Sequence, residues 1–112
     1  MRHISFALTT AQMRAKTKDV TRRDRWHLLA AGAQLMACEK CMGLKKGEKV
    51  VQIGVIEVVS IRDERLDLIT QEDVVREGFP GWSPRQFVEF FCKHNGCPPS
   101  LVVRRIEFKH LY

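Results

Sequence analysis

The 112-residue sequence contains no long apolar run, and this absence excludes one class of protein. A helix that crosses a bilayer needs about 20 consecutive apolar residues. The opening residues, 1–6, also lack the apolar stretch followed by small residues that is typical of a signal peptide. We therefore expect a protein that stays in the cytoplasm and has no membrane partner.

Internal repeats, low-complexity tracts and Gly/Ser linkers are also absent from the sequence. A chain of this length has material for one hydrophobic core and little for a second. Apolar residues make up 45% and charged residues 29% of the chain, which excludes a disordered polymer. We expect a single domain over residues 1–112.

Basic residues outnumber acidic ones, 19 against 13, which gives a net charge of +6. The excess is concentrated in residues 14–25, 40–49 and 104–105. Basic clusters favour a polyanionic partner, because binding releases the counterions of its phosphates. RNA is therefore a predicted partner. The candidate contacts are four basic side chains and two tryptophans able to stack on bases: Arg22, Arg23, Lys45, Lys46, Trp26 and Trp82.

Strand-forming residues predict four strands, and turn residues at 43–48 join the middle two into a hairpin. In the last strand, Val102, Ile106 and Phe108 are expected on one apolar face. The four predicted strands cover residues 3–8, 34–41, 49–61 and 101–111.

Cap residues predict helices between these strands. Thr9 or Thr10 can cap a short helix, while Thr70 and Ser83 are typical N-caps of two more, the last ending near residues 95–96. The order β-α-β-β-α-α-β has too few helices for a doubly wound sheet. It predicts an α+β domain or a small barrel decorated by helices.

Residues 16–23, Lys-Thr-Lys-Asp-Val-Thr-Arg-Arg, follow the first strand and helix. They resemble the signature of the ASCH family, Gly-x-Lys-x-x-x-x-Arg, with Lys18 and Arg23 at the family's spacing and Lys16 in place of the glycine. The order of elements agrees with that family over nearly the whole chain. The resemblance implies a PUA-like β-barrel whose cleft, between barrel and helices, handles RNA or a modified nucleoside.

Some members of the family are amidohydrolases that remove the acetyl group from N4-acetylcytidine. The resemblance implies that Lys18, Thr21 and Glu77 match their catalytic lysine, threonine and glutamate. Amide cleavage needs a nucleophile, a proton acceptor and positive charge near the developing oxyanion. No cofactor is expected. Without the resemblance, the same three residues read as a solvated lysine, a strand former and a partner for a nearby base.

Two other functions fit the sequence. The same basic cleft could serve an RNA-binding regulatory module or a ribonuclease. The third candidate is a non-enzymatic interaction module stabilised by zinc, because Cys38 and Cys41 have zinc-knuckle spacing and Cys92 and Cys97 could complete four ligands. In a reducing cytoplasm these cysteines are expected to be thiols or metal ligands, since disulfides are rare there.

Overall fold

The computed structural model describes residues 1–111 and contains one mixed five-stranded sheet. Its strand order is β1-β3-β4-β5-β2, with β1 parallel to β3 and every other pair antiparallel. The α+β class predicted from the sequence is confirmed. The strands are β1 (His3–Ser5), β2 (Val20–Arg23), β3 (Gln34–Cys38), β4 (Gln52–Arg65) and β5 (Val102–His110).

Three helices accompany the sheet: α1 (Thr10–Arg14), α2 (Gln71–Arg76) and α3 (Pro84–Asn95). The predicted side-chain caps of α2 and α3 are confirmed, whereas Thr9 at the start of α1 makes no capping hydrogen bond. The Thr70 side chain accepts from the Asp73 amide, and Ser83 and Gln86 form a capping box at the start of α3. Gly96, with φ of 61°, ends α3 in the left-handed conformation. No helix among residues 1–111 has the length and apolar character needed to span a bilayer.

Two apolar clusters lie on opposite sides of β5. The first contains residues of β1, α1, β3 and β4 together with Ile106 and Phe108. The second joins α2, α3 and the turn after β4, and it takes Val103 from β5. Strand β5 is therefore covered on both faces, because side chains at odd and even positions point in opposite directions.

The two edge strands of the sheet approach each other without pairing. Arg23 at the end of β2 donates from Nη2 to the carbonyl of Ser5 in β1, at 2.7 Å. Among residues 1–111 no backbone ladder joins β1 to β2, so the pairing shows a sheet and not a closed barrel. The two edges are bridged by a side chain.

The sequence prediction missed β2, the fifth strand. Its residues, Val-Thr-Arg-Arg, look like part of a solvated basic run, yet the first three are buried. They pair with residues 104–107 of β5, and carboxylates from distant segments form ion pairs with Arg22. The strand bounds also differ from the prediction: β1 ends at Ser5, β3 ends at Cys38, and β4 runs from Gln52 to Arg65.

The predicted apolar face of β5 was wrong at one position. Val102 is 58% exposed, whereas Val103 is 1% exposed. The reason is that β5 serves two cores, so its burial switches faces along its length. Residues Ile106 and Phe108 lie in the first cluster as expected, and Val103 lies in the second.

Candidate functional site

A cavity of about 260 Å³ opens between the edge strands and the helices. The segment after β1 forms one wall, β2 forms the floor, and the end of α2 with one side of α3 forms the other walls. All three residues matched to the catalytic set, Lys18, Thr21 and Glu77, line it. The remaining lining residues are Ser5, Phe6, Ala7, Leu8, Thr9, Arg22, Arg23, Phe79, Phe87, Phe90, Phe91, His94 and Asn95.

Lys18 is buried, and backbone hydrogen bonds hold its segment in place just before β2. The Asp19 amide donates to the Arg76 carbonyl at 3.0 Å, and the Phe108 amide donates to the Asp19 carbonyl at 2.9 Å. Because Lys18 precedes the strand, it escapes strand alternation and shares the cavity with Thr21, three residues later.

The turn before Lys18 shows how this chain does without the glycine of the ASCH signature. Lys16 has φ of 58°, in the left-handed region where glycine carries no penalty. A side chain there costs about 1–2 kcal/mol. Lys16 is exposed, so its side chain meets no steric obstacle from the core.

Glu77 follows the last residue of α2 and bridges two cations. Its Oε1 accepts from Lys18 Nζ at 2.6 Å, and its Oε2 accepts from Arg22 Nη1 at 3.0 Å. Its backbone carbonyl also accepts from Lys18 Nζ, at 2.9 Å. Gly78, with φ of 103°, then turns the chain, and a Cβ there would lie 2.7 Å from the Gln12 side chain.

Burial has a strong effect on Lys18. Loss of solvent lowers the pKa of its ammonium below 10.5, and the cations of Arg23 and Arg22 lower it further. The Glu77 carboxylate opposes this change by attraction and hydrogen bonding. The outcome is a lysine that gives up its proton more readily than a solvated one.

Behind Lys18 lies a network of buried charges that the sequence did not reveal. Arg22 donates to Asp73 at 2.5 Å and also pairs with Glu64. Arg105 of β5 forms a bidentate ion pair with Asp73, with hydrogen bonds of 2.7 and 3.0 Å. Burial by itself raises the pKa of Asp73, but the bonds from Arg105 and Arg22 outweigh it and hold that pKa well below its ordinary value.

Arg23 differs from Arg22 in having no acidic partner. It donates from Nε to Thr21 Oγ1 at 3.1 Å and lies over the Phe6 ring, 4.9 Å from its centroid. Among residues 1–111 no carboxylate is within ion-pair distance of it. Burial lowers the pKa of Arg23 to about 10, opposed by Glu77 and Cys41. The cavity therefore contains a cation that is not neutralised by contact.

The other predicted nucleic-acid contacts are not among the residues that line this cavity. Trp82 stacks on Phe79 with ring centroids 4.1 Å apart, and Trp26 packs against the first cluster beneath the Arg2 guanidinium. Lys45 and Lys46 are exposed on the connection between β3 and β4. Their contact with RNA stays a prediction.

The four cysteines form two pairs. Cys92 and Cys97, near the end of α3, have sulfurs 3.8 Å apart. Cys38 ends β3, and Cys41 follows in the next turn. Among residues 1–111 the one grouping of three or more potential ligands adds His3 to Cys38 and Cys41, and does not include the second pair.

Sequence reasoning missed Asp73, Glu64 and Arg105 as supports of the site. In the sequence, Arg105 belongs only to the basic cluster of residues 104–105, and Asp73 follows the predicted Thr70 cap. A usable signal was present, because β5 carries two consecutive arginines between the apolar residues Val103 and Ile106. Their partners lie on other elements and could not be paired from sequence.

Comparison with known proteins gives a fold. No family model matches the sequence, and no curated protein matches it significantly. Among solved structures, an ASCH domain from Lactobacillus crispatus JV V101 superposes with a TM-score of 0.60 at 14% identity, over 94% of this chain and 71% of the other. This chain has the ASCH-domain fold.

Two further structures agree with this result. Protein EF3133 from Enterococcus faecalis V583, of family DUF984, gives a TM-score of 0.70 at 10% identity, covering 99% of this chain and 80% of that one. Hypothetical protein PH0355 gives 0.65 at 15% identity, covering 99% and 100%. At these identities the ASCH fold is shared while most side chains are not.

Proposed function

We propose that this protein is an amidohydrolase that removes the acyl group from the exocyclic amine of a modified cytidine, with N4-acetylcytidine as the substrate. One observation carries the proposal: Lys18, Thr21 and Glu77 meet in one cavity beside the unneutralised cation of Arg23. An amine, a hydroxyl, a carboxylate and a positive charge are the groups that amide cleavage uses.

Thr21 is the proposed nucleophile. Arg23 donates to its Oγ1, so the hydroxyl proton of Thr21 is free to be given away, and the guanidinium stabilises negative charge that develops on the oxygen. Lys18 in its neutral form accepts that proton. Its lowered pKa makes the neutral form accessible.

The bond changes follow from these positions. Thr21 Oγ1 bonds to the acyl carbon as its proton passes to Lys18, and the carbonyl oxygen becomes an oxyanion near Arg23. The carbon–nitrogen bond then breaks, and the departing amine receives a proton from the Lys18–Glu77 pair. Water attacks the acyl-threonine by the same route, releasing acetate and restoring the hydroxyl.

The dimensions of the cavity favour a nucleoside over a long strand. Ligand sites for drug-sized molecules range over about 300–1,000 Å³, and this one of about 260 Å³ is smaller. Phe79, Phe87 and Phe90 are among the aromatic side chains that line the cavity. An aromatic base can stack there while its acyl group faces Lys18 and Thr21.

The test is incubation of purified protein with N4-acetylcytidine and detection of cytidine and acetate by mass spectrometry. Thr21→Val removes the hydroxyl at nearly constant shape, and Lys18→Met removes the amine. We expect each to lower kcat/KM by at least about 100-fold. Wild-type kcat/KM is expected to rise with pH, because Lys18 acts when deprotonated and its pKa lies below 10.5.

Controls separate chemistry from folding. Thr21→Ser keeps the hydroxyl and is expected to retain measurable turnover, while Thr17→Val changes an exposed threonine and is expected to have no effect. Melting temperatures verify that each variant folds. Absence of cytidine from wild type, or equal rates for wild type and Thr21→Val, would contradict the proposal.

The RNA-handling alternative predicts a different response to salt. A protein that neutralises several phosphates loses affinity steeply as salt increases, because counterions are released on binding. Hydrolysis of an uncharged nucleoside is expected to change little between 50 and 200 mM salt, on the scale over which nucleic-acid binding weakens by orders of magnitude. Lys45→Glu/Lys46→Glu is expected to leave nucleoside hydrolysis unchanged, because both side chains lie outside the cavity.

A further inference from the structure

A second cluster of chemically active side chains lies at the edge formed by β1 and β3. One nitrogen of His3 and the sulfurs of Cys38 and Cys41 all lie within 4.8 Å of one another. The proposed amidohydrolase uses none of them. Imidazole and thiolate are the ligands that zinc prefers in proteins.

We propose that His3, Cys38 and Cys41 form a Zn²⁺ site with three protein ligands and one position open to solvent. Zinc bonds of about 2.3 Å to sulfur and 2.0–2.1 Å to nitrogen, in tetrahedral arrangement, place the ligand atoms roughly 3.6–3.8 Å apart. The observed limit of 4.8 Å requires a contraction of at most about 1.2 Å. That is within reach of side chains on a strand end and a turn.

Local structure brings the ligands together. His3 begins β1 and Cys38 ends β3, and these two strands are parallel neighbours in which Ser5 lies opposite Cys38. Cys41 follows Cys38 at the two-residue spacing common among zinc ligands. Gly43, with φ of 69°, then takes a turn conformation favourable to glycine, as the trailing glycine of a zinc knuckle does.

Charge and access also suit zinc. Two thiolates neutralise one Zn²⁺, so the loaded site adds no net charge beside the nearby Arg23 cation. His3 is exposed and Cys41 half-buried, which gives the ion a route in, while Cys38 is fully buried and fixes one ligand. Three protein ligands are fewer than the four of closed structural sites, so the fourth position belongs to water or a small ligand.

The test uses the reduced full-length protein, stripped of metal, and titrates Zn²⁺ against a chelating indicator. We expect one tight site per chain. With Co²⁺ as a probe, we expect a thiolate-to-cobalt absorption band and the visible bands of tetrahedral cobalt. Cys41→Ser and His3→Ala each remove one ligand and are expected to weaken zinc binding by at least about tenfold, since even loss of an outer-shell partner costs 10–100-fold.

Matched controls use the same residue types elsewhere. Cys97→Ser alters the other cysteine pair and His27→Ala alters an exposed histidine, and both are expected to bind zinc as wild type does. No tight zinc binding, a Cys97→Ser loss equal to that of Cys41→Ser, or a Cys38–Cys41 disulfide persisting in reductant would overturn the proposal. The titration needs no substrate, so its result is independent of the proposed amidohydrolase activity.

Discussion

Two sets of ion pairs in this molecule use the same residue types in opposite surroundings. Arg22 and Arg105 hold carboxylates in the interior, where the arginine side chains are 0% and 5% exposed. Arg85 and Glu89 pair on the outer face of α3, with side chains 89% and 66% exposed. Water screens the exposed pair, and burial removes most of that screening from the interior set, so the same residue types have unequal consequences.

This difference in burial explains how the charges of the candidate site are arranged. Burying a charge costs less when opposite charges surround it, and Glu77, Asp73 and Glu64 surround Arg22. The interior cluster nevertheless contains four cations, Arg23 included, and three carboxylates. Loss of the Lys18 proton would balance it, which is the change that the proposed reaction requires.

The largest expected effect comes from breaking the interior set. Arg22→Met removes the cation that contacts Glu64, Asp73 and Glu77, and we expect the free energy of unfolding to fall by about 3–5 kcal/mol. Urea unfolding measures it. Arg85→Met, the same substitution in the exposed pair, is expected to produce no measurable change. Equal losses for the two variants would show that burial does not distinguish the pairs.

A smaller effect is expected on the free energy of unfolding at acid pH. The pKa of Asp73 is depressed in the folded protein, so its contribution is complete above the unfolded-state value of about 3.9 and is lost as pH falls below it. Between pH 4 and 2 we expect Asp73→Asn to reduce the dependence of unfolding free energy on pH by up to about 1.4 kcal/mol per pH unit.

Arg105→Met tests the same acid dependence by changing the ion-pair partner of Asp73. The bonds from Arg105 contribute most to depressing that pKa, so removing them is expected to flatten the acid dependence as well. Unfolding curves collected over the same pH range give both slopes. An unchanged slope in both variants would place the acid sensitivity at other carboxylates.

The smallest effect is expected at Lys16, an exposed residue whose left-handed backbone conformation is unfavourable for a residue with a side chain. Lys16→Gly relieves the left-handed conformation, and we expect it to be more stable than Lys16→Ala by about 1 kcal/mol. At Lys93, on the exposed side of α3, the order is expected to reverse, with Gly about 1 kcal/mol worse than Ala. Thermal unfolding of the four variants compares the two positions, and the same order at both would contradict a positive φ at Lys16.

The sequence by itself determined those features that depend on neighbouring residues. Thr70 and Ser83 capped the helices as expected, because a cap needs only the amides two or three residues away. The β3–β4 hairpin followed from strand-forming residues and turn chemistry. Residues 16–23 led to the ASCH resemblance, and the fold is that of an ASCH domain.

Only the tertiary structure decided the rest. In the folded chain Val20–Arg23 form a strand, and Val102 is exposed. Glu77 contacts Lys18, which lies 59 positions earlier in the sequence. His3 lies close to Cys38 and Cys41, and the second cysteine pair is not part of that group. The physical reason is common to all four: whether a charge or an apolar group is stable in the interior depends on partners from distant segments, which no local pattern contains.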